Sequence, residues 1–232
     1  MKKILFLFCF LLSLSPHLTY AAGAYLVDDG GIVDRKTVQI ENWYSHSSSS
    51  GENIFVSNPA YQVFPDFEFA VQESYSDTAK TKNTLWPQIK YLWHNSENLA
   101  SSFTVGTNYS SSNQKTYGSY AYSSNSLKLN EMLDLTFYLG WQNWRHAAFN
   151  DKSTDFLNYG LGAEFHFNSK LSFIPEIFQT NGTKNNASST KPATQFGLRY
   201  LASSHLILDT IYGHNINGNQ QDWLTIGVTL LF

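Results

Sequence analysis

Four charged residues are the best placed in this chain to act together: Glu164, Glu176, Arg199 and Asp209. Each lies on the polar set of a stretch in which apolar and polar residues alternate, about four to six residues from a short turn. Period-two alternation sends successive side chains to opposite faces of a strand. On four neighbouring strands these residues would set one guanidinium against three carboxylates at similar height, and its planar fork can satisfy several acceptors at once. Such a cluster either ties strands together or lines a path for solute, and buried charges are paired first for satisfaction, which favours the tie. Glu41, Glu68, Lys90 and Asp134 fall on polar sets of the same kind and bring the count to six acids and two bases. An open passage lined in this way prefers cations or polar neutral solutes to anions.

Hydrolytic chemistry needs a nucleophile, a base within hydrogen-bond reach and a third group that orients the base. The seven histidines are scattered: His17 is near the N-terminus, and His46, His94, His146, His166, His205 and His214 fall on different strands and loops. The nearest pairing in sequence, His46 with Ser47 to Ser50, reads as a solvated turn with no oxyanion partner. There is no His-Ser-Asn segment of the barrel phospholipase and deacylase kind and no acidic pair of the omptin kind. No His pair has metal-ligand spacing, so neither a metal nor a cofactor is expected. The Asn-x-Ser/Thr triplets at Asn108, Asn181 and Asn186 read as chance matches.

The elements that must position these residues are strands. From Thr37 onward twelve are expected, at about 37–46, 53–61, 65–76, 84–94, 99–110, 117–129, 133–145, 154–167, 171–180, 193–201, 205–213 and 222–232. Most have the length a tilted membrane-spanning strand requires. Short connections at Gln62 to Phe64, Asn95 to Asn98, Asn130 to Met132, Asn168 to Lys170 and Ala202 to Ser204 alternate with longer Ser/Asn/Gly-rich ones at 47–52, 77–83, 111–116, 146–153, 181–192 and 214–221. Tight turns at one end and long loops at the other predict an all-β, transmembrane, antiparallel up-and-down β-barrel of about twelve strands. An even strand number puts both termini at the short-turn, periplasmic end. The faces separate without forcing: in the eighth strand Leu157, Tyr159, Leu161, Ala163, Phe165 and Phe167 point outward, and Phe156, Asn158, Gly160, Gly162, Glu164 and His166 inward. Trp86, Tyr138, Trp144, Phe156 and Trp223 are expected to fill part of the lumen. Pro87 and Pro175 fall inside strands, where each costs a ladder bond or marks a bulge. Pro59 and the weak patterning of residues 117–129 leave the register of the second and sixth strands open.

Residues 1–21 carry Lys2 and Lys3, an apolar run from Ile4 to Leu14, and Thr19-Tyr20-Ala21, the plan of a secretory signal cleaved after Ala21. The one cysteine, Cys9, leaves with it, so the mature chain has no thiol. Losing two of the fifteen Lys and Arg leaves thirteen bases against eighteen acids, a formal charge of −5 with no nucleic-acid footprint. After residue 21 no apolar run approaches the roughly 20 residues of a membrane helix. Residues 22–36, with Asp28-Asp29-Gly30-Gly31, show no periodicity and read as a leader that can tuck into the periplasmic mouth as a plug; residues 37–232 form the barrel.

The last strand, Asp222 to Phe232, sets Leu224, Ile226, Val228, Leu230 and Phe232 on one face, a face no later chain can cover. It resembles the closing strand of bacterial outer-membrane barrels, which implies lipid as its partner and barrel-assembly machinery reading Phe232, Leu230 and Val228. The segment Leu26 to Val33 followed by Thr37-Val38-Gln39-Ile40-Glu41 resembles the opening of the outer-membrane proteins grouped under the MetA-pathway of phenol degradation. Leu139-Gly140-Trp141-Gln142, Tyr159 to Glu164, Pro175-Glu176-Ile177-Phe178, Phe196 to Tyr200 and Leu206 to Asp209 agree with it. The resemblance implies a small Gram-negative outer-membrane barrel that moves small, including aromatic, molecules. A channel or transporter for small solutes is thus the leading expectation. A closed structural or surface-interaction barrel comes second and an outer-membrane hydrolase third.

Overall fold

A computed structural model describes residues 24–77, 83–110, 115–145, 153–180, 191–216 and 221–232. The alternating stretches form β1 (Val38–Ser47), β2 (Asn53–Phe64), β3 (Phe67–Ser76), β4 (Asn83–Asn95), β5 (Leu99–Ser110), β6 (Lys115–Asn130), β7 (Leu133–Arg145), β8 (Ser153–His166), β9 (Leu171–Thr180), β10 (Lys191–Ser203), β11 (Leu206–Asn215) and β12 (Asp222–Leu231). Each strand pairs antiparallel with the next and β12 returns to β1, so the sheet closes on itself. At the seam Gln39 stands opposite Leu231 and Ser47 opposite Trp223, and Val38 and Phe232 exchange two backbone hydrogen bonds of 3.1 and 3.0 Å. The closed ladder leaves no sheet edge unpaired.

Outward positions are apolar and exposed: Leu157 at 60%, Leu139 at 57%, Ile226 at 55%. Inward neighbours on these strands are closed off, Phe156 at 5% and Thr225 at 4%. Water does not tolerate so continuous an apolar band on a monomer, whereas hydrocarbon satisfies it. Trp93 and Tyr200 sit outward near the short-turn end, and Tyr44, Tyr75, Trp141 and Tyr212 near the other, as the aromatic girdles of such a band do. Among the described residues no helix is long and apolar enough to cross a membrane.

Several local expectations shift. The first short turn is not at Gln62 to Phe64: β2 runs on to Phe64 and the chain reverses at Pro65-Asp66, with Asp66 at φ 65°. Pro presets the turn entry and Asp tolerates the left-handed region, so the turn settles where both are available. Strand prolines interrupt a ladder without changing its register. Pro59 lies in a gap of the β2–β3 pairing, Pro87 in a gap of β4–β5 and Pro175 in a gap of β8–β9. The register shifts fall elsewhere, and four of them flank short turns, at Gln62/Phe64, Leu92/His94, Lys128/Asn130 and Leu201/Ser203. Rims are where an extra residue is accommodated most easily. The stretch read as a signal, and the long loops centred on 78–82, 146–152 and 181–190, lie outside the described residues.

Candidate functional site

The leader carries the unpatterned stretch before the barrel, and its residues 24–33 run within the lumen, while Asp34, Arg35 and Lys36 are exposed. Tyr25 packs against Gly197 of β10, where a side-chain carbon would come within 2.1 Å of the tyrosine hydroxyl. Val27 lies by Gly160 and Gly162 of β8, Gly30 by Ala100 and Ser126 of β5 and β6, and Val33 by Glu68 of β3. The leader therefore circles the inner wall before turning through Thr37, whose N–H donates to Asp34, into β1. Tyr25, Val27, Ile32 and Val33 are all buried.

An irregular backbone inside a barrel needs acceptors for its N–H groups, and inward carboxylates supply them. Glu176 accepts from Leu26 N at 3.1 Å and Val27 N at 3.3 Å, and Glu68 from Val33 N at 2.7 Å. Both lumen cations engage leader side chains. Lys90 Nζ lies 3.0 Å from Asp28 and 3.5 Å from Asp29, and the Arg199 guanidinium sits 4.8 Å over the Tyr25 ring, a cation–π arrangement.

The structure brings three of the four leading charges together. Arg199 Nε donates to Asp209 at 3.0 Å, and Nη1 lies 3.9 Å from Glu164. Glu176 does not share their height, because the β9–β10 register puts Ser172 opposite Arg199 and Gln195 opposite Glu176. Its carboxylate takes Gln195 Nε2 at 2.5 Å in addition to the leader. Glu41, Glu68 and Lys90 are buried in the lumen, and Glu41 accepts from Gln39 and Asn58, both at 2.8 Å. Asp134 stands near the short-turn end with His166.

The leader leaves the two halves of the lumen unequal. Behind it, along β7–β9, lies a space of about 40 Å³, lined by Tyr25, Val27, Glu164 and Glu176 among others. In front of it a cavity of about 420 Å³ runs from Trp43, Gln142 and Asn158 past Glu41, Glu68 and Lys90 to Gln39 and Ala60. Those last two face each other one rung above Val38 and Tyr61. A second space of about 300 Å³ shares Ala24, Leu26, Trp43 and Ile54 with it and reaches Ser47, Ser50 and Gln221 at the long-loop rim. There Asp77 accepts the Asn53 backbone N–H at 3.0 Å and its side-chain amide at 2.6 Å, which hold its carboxyl below the usual carboxylate range. The larger space thus touches Glu41, Glu68 and Lys90, and the smaller one Glu164 and Glu176.

One constellation escapes a search of neighbouring residues in sequence. His166 Nδ1 is 3.0 Å from Ser172 Oγ and Nε2 is 3.0 Å from Asp134 Oδ2. Serine, imidazole and carboxylate stand in the order of a hydrolase triad. The signal was present in the faces, since His166 and Ser172 flank one tight turn. Yet Ser172 is 7% exposed, and none of the three lumen spaces described above touches it. Glu164 is a further neighbour of the imidazole at 3.7 Å, so the group extends the Arg199 network. Among the described residues no three His, Cys, Asp or Glu side chains are placed to hold a metal ion.

A family model described as "Uncharacterised conserved protein UCP029691" matches residues 9–232. No curated protein matches the chain. Solved structures similar to it include the NanC porin, with a TM-score of 0.66 at 12% identity over 82% of this chain and 98% of that one. The KdgM porin in complex with disordered oligogalacturonate gives 0.64 at 9% over 83% and 98%. The COG4313 outer membrane channel from Pseudomonas putida F1 gives 0.61 at 12% over 88% and 98%. At these identities the likeness is one of fold.

Proposed function

The chain belongs to the family of uncharacterised conserved protein UCP029691, and we propose that it is a passive, non-enzymatic outer-membrane channel for small solutes. The observation that carries this reading is the cavity of about 420 Å³ that stays beside the leader and spans much of the lumen. Its carboxylates, Glu41, Glu68 and Asp28, outnumber its one ammonium, Lys90, so mobile cations are favoured over anions. The leader, residues 22–36 after cleavage behind Ala21, is a plug that narrows the passage. Phe232, Leu230 and Val228 carry the signal read by the assembly machinery. Passage of small aromatic molecules is supported by the resemblance to the MetA-pathway proteins and by the rings of Trp43, Trp86, Tyr120, Tyr122 and Tyr138 around the cavity.

The test is single-channel recording of refolded mature protein in a planar bilayer. Discrete KCl steps with K⁺ preferred over Cl⁻, and a smaller preference in Glu41→Gln, are the expected result. A silent bilayer from protein shown to be folded refutes the channel and favours a closed barrel acting through its long loops.

A further inference from the structure

We propose that the cavity beside the leader is a binding site for an uncharged polyhydroxylated ring, a neutral saccharide; this deepens the channel reading above and rests on it. One wall is a row of aromatic rings: Trp86 to Tyr120 at 5.9 Å between centroids, Tyr120 to Tyr122 at 5.9 Å, Tyr122 to Tyr138 at 5.7 Å. All four line the cavity. Ring faces carry negative potential and apolar area, which suits the C–H face of a sugar ring. A saccharide's remaining surface is hydroxyl, each both donor and acceptor, and the side chain that answers both roles without charge is an amide. Gln39, Asn58, Gln72, Gln88, Gln142 and Asn158 line this one space.

Several of these amides are already held. Gln88 Oε1 accepts from the Tyr120 hydroxyl at 2.9 Å, and Gln142 Oε1 from Asn158 Nδ2 at 2.7 Å. Each pinned amide keeps its other polar atom for a ligand, so less freedom is lost on binding. Asn58 is held in the same way, donating Nδ2 to Glu41 at 2.8 Å. Charge narrows the class further. Asp28, Glu41 and Glu68 oppose an acidic sugar, whereas the oxygens of Glu41 are taken by Gln39 and Asn58, and Lys90 shares the space, so an organic cation is poorly served. The volume of about 420 Å³ is that of small-ligand sites.

The test uses refolded mature protein with two independent readouts, tryptophan fluorescence in detergent and interruption of KCl current in a bilayer. The probes are maltose, galacturonate and tetramethylammonium. Maltose is expected to change both signals in the millimolar range and the other two neither. Gln142→Leu should weaken maltose about fivefold and Trp86→Leu about tenfold. KCl steps with no maltose effect on either readout, or with galacturonate or tetramethylammonium preferred, overturn the site and leave the channel. Maltose binding without KCl steps upholds the site and removes the channel. No response in either assay from folded protein overturns both.

Discussion

Replacing Lys90 by methionine tests what holds the leader in the lumen. The Lys90 side chain is 5% exposed and faces Asp28 at 3.0 Å and Asp29 at 3.5 Å, whose side chains keep 26% and 18% exposure. Methionine matches the stem and removes the charge, leaving two carboxylates side by side. Breaking a fully buried pair costs about 3–5 kcal/mol, and the partial wetting of the acids lowers this to about 2–3 kcal/mol. That range corresponds to about a 30- to 150-fold shift from docked to undocked leader. The expected mature chain has no cysteine, so Ala24→Cys gives a single thiol whose maleimide labelling reports undocking. Lys90→Met is expected to label faster by that factor and to show larger KCl steps. Lys90→Arg should stay near wild type. Asp28→Asn with Asp29→Asn should loosen the leader on its own and add little on top of Lys90→Met, because all three residues act through one interaction. Wild-type labelling and conductance in Lys90→Met would refute the reasoning.

Gly30→Ala should also undock the leader. The added carbon falls 2.1 Å from the Ala100 carbonyl oxygen and 2.7 Å from Ser126 N, backbone atoms that cannot yield. A cost of about 1–3 kcal/mol is expected in the labelling assay, with the barrel's heat-modifiable gel mobility unchanged. Ser172→Ala should lower barrel stability by about 1 kcal/mol, the worth of one hydrogen bond to His166, and leave KCl conductance as it was. A refolded wild type that cleaves nitrophenyl esters, with the activity lost in Ser172→Ala, would restore the hydrolase reading.

The barrel was legible because every strand has two different solvents: Leu157, Tyr159 and Leu161 meet one, Phe156, Asn158 and Gly160 the other, and the sequence alternates accordingly. The Arg199–Asp209 pair was legible too, since a tight turn at Ser204-His205 fixes the β10–β11 register. Glu176 was misplaced in height for the converse reason. β9 and β10 are joined through the long connection at 181–190, and a long loop does not pin register as a tight turn does. Which charges border free space was not legible at all. That depends on the side the leader takes, and the leader is held in part through its own N–H groups, by Glu176 and Glu68, a kind of contact that leaves no mark on residue type. The triad-like group was readable only once Asp134, His166 and Ser172 were placed on three neighbouring strands rather than sought as neighbours in the chain.

The seam between β1 and β12 sets an order of events. The leader runs directly into β1, and its bonds to Glu176 span 149 and 150 positions of the chain, so the acceptors that hold it belong to strands made long after it. The wall that encloses it exists only when the last strand meets the first, a contact of very high sequence separation and hence slow to form. Seating of the leader is therefore coupled to ring closure. A chain whose leader stays outside at that moment closes hollow, and must then admit it end-on through a mouth instead of wrapping around it.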